Sequence, residues 1–316
     1  MIAQREIWGR TLVSLGETDP RVAVVDGDLA TSTKADLFAD AHPDRFFQIG
    51  IAEQNMVGVA FGLTTMGYRP WLSSFGVFLS HRALDPVRML VSQTGAPVKI
   101  AAAYSGLLNG SSGKTHQDIE DLAIMRAMPN MTVIAPADHI EAEAATRWAA
   151  EYDGPVYLRL ARDAVTPVFD AMPEFVPGAV HVLRDGDGAV LVSTGVQTSR
   201  VMDAAEILSG RGIECRVVHV PCLKPLDEAG LLTALSGDAA IFTVEEHTII
   251  GGLGGLVAEA VTSSALGKPV TRLGLADAWS ESAPNDFLLD KYGLSPAKVA
   301  DAVANVLNAK SESGTK

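Results

Sequence analysis

"IGIAEQNMVGVAFGL", residues 49–63, sets one acid, Glu53, at the head of an otherwise apolar stretch. Glu53 follows Gly50 by three residues, and the spacing of the apolar residues predicts a helix from Ala52 to about Thr65. That puts Glu53 in the first turn, where the macrodipole favours a carboxylate and free N–H groups await an acceptor. On these residues alone it reads as an ordinary helix-start acid.

Working outward, short β-branched runs alternate with helical patterns. "RVAVVD" (21–26), "RPWLSS" (69–74), "PVKIAAAY" (97–104), "MTVIAP" (131–136) and "PVYLRLA" (155–161) read as buried strands. Further helices are expected over 79–92, 119–128 and 139–151. Strands and helices in alternation predict a parallel α/β sheet. The stretch "TPVFDAMPEFVPGAV" (166–180), with three prolines, breaks both periods and reads as a linker. Beyond it "GAVLVST" (188–194), "ECRVVHV" (214–220), "AAIFTVEE" (239–246) and "PVTRLGL" (269–275) again read as strands. The expectation is two α/β domains, 1–165 and 181–310, ending in a disordered polar tail at 311–316.

Composition narrows the function. With 47% hydrophobic residues in 316, the chain has core material for two domains. A net charge of −13 repels polyphosphate backbones, so nucleic acid is not an expected partner, and an anionic ligand must be held by a few locally placed basic residues. Cys215 and Cys222 are too few for a disulfide framework, which points to a cytoplasmic protein with reduced thiols. Neither a signal peptide nor a membrane span is legible.

Glu53 does not stand alone. Downstream lie "SSFGVFLSHRALDPVR" (73–88), with Phe75, Phe78 and His81 or Arg82 at helical spacing, and the Gly/Ser loop "SGLLNGSSGKTHQD" (105–118), which delivers His116. With "MPNMTVIAPAD" (128–138), these motifs in this order resemble the transketolase family of thiamine diphosphate enzymes, specifically its pyrimidine-binding and C-terminal domains, over essentially the whole chain. The resemblance implies that Glu53 bonds a ring nitrogen of the cofactor's aminopyrimidine, favouring the tautomer whose neighbouring nitrogen takes the proton from the thiazolium carbon. It implies that Phe75 stacks on the aminopyrimidine, that Phe78 and His81 complete an aromatic wall, and that Asp28 in "DGDLATST" lies near the cofactor across a subunit interface. By the same resemblance Arg5, Ser32 and Arg162 grip the terminal phosphate of a sugar, and His116 contacts substrate oxygens.

Two positions depart from the family pattern. Ser112 stands where the family loop usually carries Asp, and Tyr104 replaces a substrate-contacting histidine. A serine is a weaker acceptor than a carboxylate, so sugar discrimination should change at these candidate contacts. The family also holds the diphosphate through Mg2+ on a GDG motif followed by Asn. "GDG" occurs at 186–188 without that Asn and reads as a hairpin or loop turn, so no metal ligand is expected on this chain. The Gly-rich turn "GGLGG" (251–255) reads as close packing at a subunit interface, with His247 structural.

The resemblance therefore implies the C-terminal subunit of a split transketolase, a transferase of ketol units between sugar phosphates (EC 2.2.1.-). It would need a separate N-terminal, diphosphate-binding subunit that supplies most of the Mg2+ site, and would dimerise within a heterotetramer. Two alternatives stay open: a 1-deoxyxylulose-5-phosphate synthase-like or 2-oxoacid dehydrogenase E1 β-like subunit, and a non-catalytic regulatory subunit that keeps the fold.

Overall fold

The computed structural model describes residues 1–171 and 174–313. Met172 and Pro173, inside the expected linker, and residues 314–316 of the expected tail lie outside the described residues.

The strands expected from the β-branched runs form, each within a few residues of its predicted bounds. With three more, the strands are β1 (Val22–Asp26), β2 (Phe46–Gln48), β3 (Arg69–Phe75), β4 (Lys99–Ala103), β5 (Thr132–Ile134) and β6 (Val156–Leu160), then β7 (His181–Arg184), β8 (Ala189–Ser193), β9 (Cys215–His219), β10 (Cys222–Lys224), β11 (Ala240–Thr248) and β12 (Val270–Leu275). They make two sheets, of order β10-β5-β6-β4-β3-β1-β2 and β12-β11-β8-β9-β7. Each is parallel apart from one edge strand: β10 runs antiparallel to β5 and β7 antiparallel to β9. Three strands were not foreseen. β2, β7 and β10 are three or four residues long at sheet edges, where few apolar positions are needed. β10 follows the second domain's β9 yet pairs with the first sheet, Cys222 opposite Ile134, and so stitches the two units together.

β1, β4 and β6 are buried at every position because helices cover both faces of the first sheet, which is why they read as unbroken apolar runs. Val25, Met56, Leu72 and Ile100 fill one face; Trp8, Leu12, Phe38 and Trp71 fill the other. Each such side chain contributes on the order of 1.5–3 kcal/mol through burial.

Lys99 is the exception in this interior. It is fully buried, its Nζ donates to the carbonyls of Tyr152 (2.7 Å) and Gly154 (2.5 Å), and burial pulls its pKa down to about 7. Between about pH 7 and the ordinary lysine range the unfolded chain then holds a proton that the native chain has released, so this group raises stability as pH rises. Thermal midpoints measured from pH 7 to 9.5 should climb relative to those of Lys99→Met; parallel curves would contradict the assignment.

The helix expected over 79–92 is not one α-helix. Widened π turns at Phe78–Arg82 and Val87–Ser92 flank a short α turn, Leu84–Pro86. Ala83 N–H reaches back five residues to Phe78 O (3.1 Å), and Pro86 cannot donate to the carbonyl of Arg82, so the regular ladder fails there. The helix expected over 119–128 spans only Asp121–Ala127, because the preceding residues pair Gly106 with Asp118 instead. The final helix, Pro296–Ser313, runs three residues into the expected tail. "GDG" is a loop and not a hairpin: β7 and β8 lie on opposite sides of β9, and a Cβ on Gly186 would stand 2.5 Å from the backbone of Cys215.

Candidate active site

In the order β6-β4-β3-β1 four parallel neighbours present their carboxyl ends to one edge of the first sheet, the place where open α/β sheets bind ligands. Asp28 and Ser32 follow β1, Phe75 ends β3, Tyr104 follows β4 and Arg162 follows β6. The helix Gln4–Thr18 adds Arg5.

Tyr104 is the hub. Its φ of 59° lies in the left-handed region, a conformation that costs a non-glycine residue roughly 1–3 kcal/mol and marks functional segments. Its ring stacks on Phe75 with centroids 4.2 Å apart. Its hydroxyl accepts from Arg5 Nη1 at 3.1 Å, and the guanidinium carbons of Arg5 and Arg162 lie 5.2 and 5.5 Å from its ring centroid. Arg5 also donates through Nε to Arg162 O (3.0 Å) and through Nη1 to Ser32 O. The three residues that the resemblance linked to one phosphate, spread over 157 positions, thus converge, although Ser32 joins through its carbonyl. Arg162 Nε is buried without a partner, and its Nη1 lies 3.8 Å from Asp163.

From Phe75 an aromatic path continues to Phe78 (5.8 Å), and His116 meets both rings edge-on at 6.2 and 5.4 Å. The guanidinium of Arg82 lies 3.9 Å from the Phe78 centroid and donates through Nη1 to Glu53 Oε1 at 3.0 Å. Glu53 is the first residue of the helix Glu53–Thr65 and is 4% exposed. The expected wall of Phe75, Phe78 and His81 therefore forms from Phe75, Phe78, Tyr104 and His116. Of the pair at helical spacing it is Arg82 that covers Phe78. The π turn sends His81 towards Asp118 and Glu120 instead, at 3.6 and 3.4 Å. Burial and the neighbouring Asp121 push Asp118 up to about 6, and the adjacent Asp118 carboxylate raises His81.

Ser112 donates to Asn109 Oδ1 (3.0 Å) within its own loop. Asp28 sits at φ 68° with its N–H on Gln48 Oε1 (2.9 Å). The turn is shaped by Asp26, which sequence reasoning passed over: buried, raised in pKa by that burial, it accepts from Leu29 N (2.9 Å) and Gln48 Nε2 (3.0 Å).

Sequence reasoning also missed what braces the His116 loop, namely the second domain. Glu246 Oε1 accepts from the backbone N–H groups of Leu107 (2.6 Å) and Leu108 (3.1 Å). Asn285 accepts from Gly110 N (2.9 Å) and donates to Leu108 O (3.1 Å). Gly106, at φ 83°, is required because a Cβ there would lie 2.4 Å from Glu246 Oε1. "EE" at 245–246 beside the glycine turn was the available signal. Its first acid, Glu245, accepts from Leu253 N (2.6 Å) and Gly254 N (2.8 Å), so the first two N–H groups of the helix Leu253–Ser263, which starts inside "GGLGG", are satisfied internally. His247 packs there too, with its Nε2 accepting from Ala123 N at 3.3 Å.

A buried acceptor beside partly open aromatic faces fits an aminopyrimidine, which offers a flat ring and ring-nitrogen chemistry. "GDG" belongs to the second sheet's β7–β8 loop, with Gly186 pressed on the backbone of Glu214.

Comparison with known proteins places the chain among its relatives. Residues 1–167 match the family model "Transketolase, pyrimidine binding domain" and residues 178–299 match "Transketolase, C-terminal domain". The chain is 41% identical over 301 residues to the "Putative transketolase C-terminal section" of Methanocaldococcus jannaschii, covering 95% of this chain and 94% of that one. It is 34% identical over 306 residues to a 6-deoxy-6-sulfo-D-fructose transketolase subunit of Clostridium sp. (strain MSTE9), covering 97% and 95%. A solved "Split gene transketolase, inactive beta4 tetramer" superposes with a TM-score of 0.90 at 43% identity, covering 98% and 99%. Against the 1-deoxy-D-xylulose-5-phosphate synthase of Geobacillus thermodenitrificans, 35% identical, the match covers 95% of this chain but 48% of the relative. These matches define a two-domain α/β chain of the thiamine diphosphate-dependent enzymes. The chain belongs to the transketolase family. Among the described residues no helix is long and apolar enough to cross a membrane.

Proposed function

We propose that this chain is the C-terminal subunit of a split, thiamine diphosphate-dependent transketolase, and that it works with a separate subunit carrying the diphosphate and Mg2+ site. The observation that carries the reading is the continuous run Glu53–Arg82–Phe78–Phe75–Tyr104–Arg5/Arg162, with an acid suited to the cofactor ring at one end and two guanidinium groups suited to an anionic sugar terminus at the other. Bound thiamine diphosphate supplies the carbon nucleophile that breaks and remakes the bond beside a ketose carbonyl. Glu53 holds the proton relationship at the aminopyrimidine nitrogen, Phe75 and Phe78 orient the ring, and Arg82 must give way at both contacts for that ring to seat. Arg5 and Arg162 hold the anionic terminus, and His116 moves or holds protons on the sugar hydroxyls. The division of labour between two chains is supported by the full-length match to a protein named as a C-terminal section and by a split-gene relative whose β4 tetramer is inactive.

Arg5→Ala or Arg162→Ala, in the reconstituted complex, should raise KM for a phosphorylated ketose roughly 10- to 100-fold, the value of one charge-assisted hydrogen bond, while kcat changes far less. Unchanged KM, or an equal rise with a neutral sugar, would contradict the assignment. Comparing a 6-phosphate with a 6-sulfonate donor in the same assay tests the terminus itself, since one relative is named for a sulfo-sugar.

A further inference from the structure

His81, Asp118 and Glu120 form a cluster whose atoms are directed in a way that ion pairing alone does not require. Each carboxylate has one oxygen fixed elsewhere. Asp118 Oδ2 accepts from Ser80 Oγ at 2.7 Å, and Glu120 Oε2 accepts from Ile119 N at 3.2 Å. The remaining oxygens, Asp118 Oδ1 and Glu120 Oε1, both face His81 Nε2, at 3.6 and 3.4 Å. Asp118 is fully buried and its Oδ1 has no hydrogen-bond partner. All three ligand atoms lie within 4.8 Å of one another. A metal ion about 2.0–2.1 Å from each of three donors in a tetrahedron holds those donors about 3.3 Å apart, close to the two separations seen. The Ser80 bond to Asp118 is the kind of outer contact that orients a ligating carboxylate. His81 and Glu120 are 37% and 25% exposed, which leaves a fourth direction open to water.

We propose that His81 Nε2, Asp118 Oδ1 and Glu120 Oε1 bind a first-row divalent transition ion, Zn2+ foremost, with water in the fourth position. One imidazole and two carboxylates suit zinc, whereas Mg2+ prefers an all-oxygen octahedral shell. The site is therefore separate in chemistry from the Mg2+ that accompanies a diphosphate, and the proposal stands whether or not the ketol-transfer reading holds. The competing account is an imidazolium of His81 held between two carboxylates.

The test titrates Zn2+ alone into the chelator-treated full chain by calorimetry and measures retained metal after dialysis. One equivalent should bind, and His81→Gln and Glu120→Gln should each weaken binding at least 10-fold while preserving the circular dichroism spectrum. Both are partly exposed, so neither substitution opens the core as Asp118→Asn would. No binding, or equal binding by wild type and both variants, overturns the site and leaves the ion pair.

Discussion

Glu53→Gln, assayed in a reconstituted two-subunit complex with saturating cofactor, is expected to lower ketol-transfer turnover by roughly 10²- to 10⁴-fold, the range attached to a single positioned proton-transfer group. The helix should survive: Gln has nearly the same shape, and Glu53 is the first residue of a 13-residue helix whose Met56, Val57, Ala60 and Leu63 are buried. The pattern expected is a collapse of kcat with an unchanged circular dichroism spectrum and thermal midpoint. Wild-type turnover would reduce Glu53 to the helix-start acid that its local sequence suggests, and would favour a non-catalytic subunit that keeps the fold.

The second large effect is on stability. Arg159 is 7% exposed and reaches four acceptors: Asp121 Oδ2 (2.8 Å) and Oδ1 (3.1 Å), Asp118 O (3.2 Å) and, across the domain boundary, Glu246 O (3.0 Å). Arg159→Met leaves the fully buried Asp121 carboxylate with Tyr157 (2.9 Å) as its remaining side-chain partner. Removing one member of a buried ion pair costs about 3–5 kcal/mol, because the survivor stays desolvated and unpaired. A marked fall in the thermal midpoint is expected, partly recovered by adding Asp121→Leu, since an apolar pair costs less than an orphaned charge. A single variant within about 1 kcal/mol of wild type would show that Asp121 finds another partner. Because Glu246 also fixes the loop that ends in His116, a weakened domain boundary should loosen the candidate site as well.

What the sequence made legible follows physical lines. Strands buried on both faces announce themselves as continuous β-branched runs, so the interior of each sheet and the two-domain plan were readable from β1, β4 or β8. Edge strands carry no such signal; β10 is unforeseeable from "CLK", since its reason is the partner β5 it finds in the other domain. The candidate residues Glu53, Phe75, Tyr104, Arg5 and Arg162 were named from motif resemblance, and their convergence comes from a topology that aligns the carboxyl ends of four strands. The resemblance put His81 on the aromatic wall, and helical spacing alone could not say whether His81 or Arg82 faces Phe78. The π turn before Pro86 decides it, and no periodicity reveals an i→i+5 bond. Glu246 was hidden for a related reason: an acid inside a strand has no local partner, and its bonds run 138 and 139 positions back along the chain.

The most direct test of the central claim is a calorimetric titration of thiamine diphosphate with Mg2+ into this chain alone, and then into the chain mixed with a candidate diphosphate-binding subunit. Tight binding in the mixture only, accompanied by ketol transfer from a ketose phosphate, is the predicted result. Tight binding to the isolated chain, or binding in neither sample, would contradict a site completed by a second subunit.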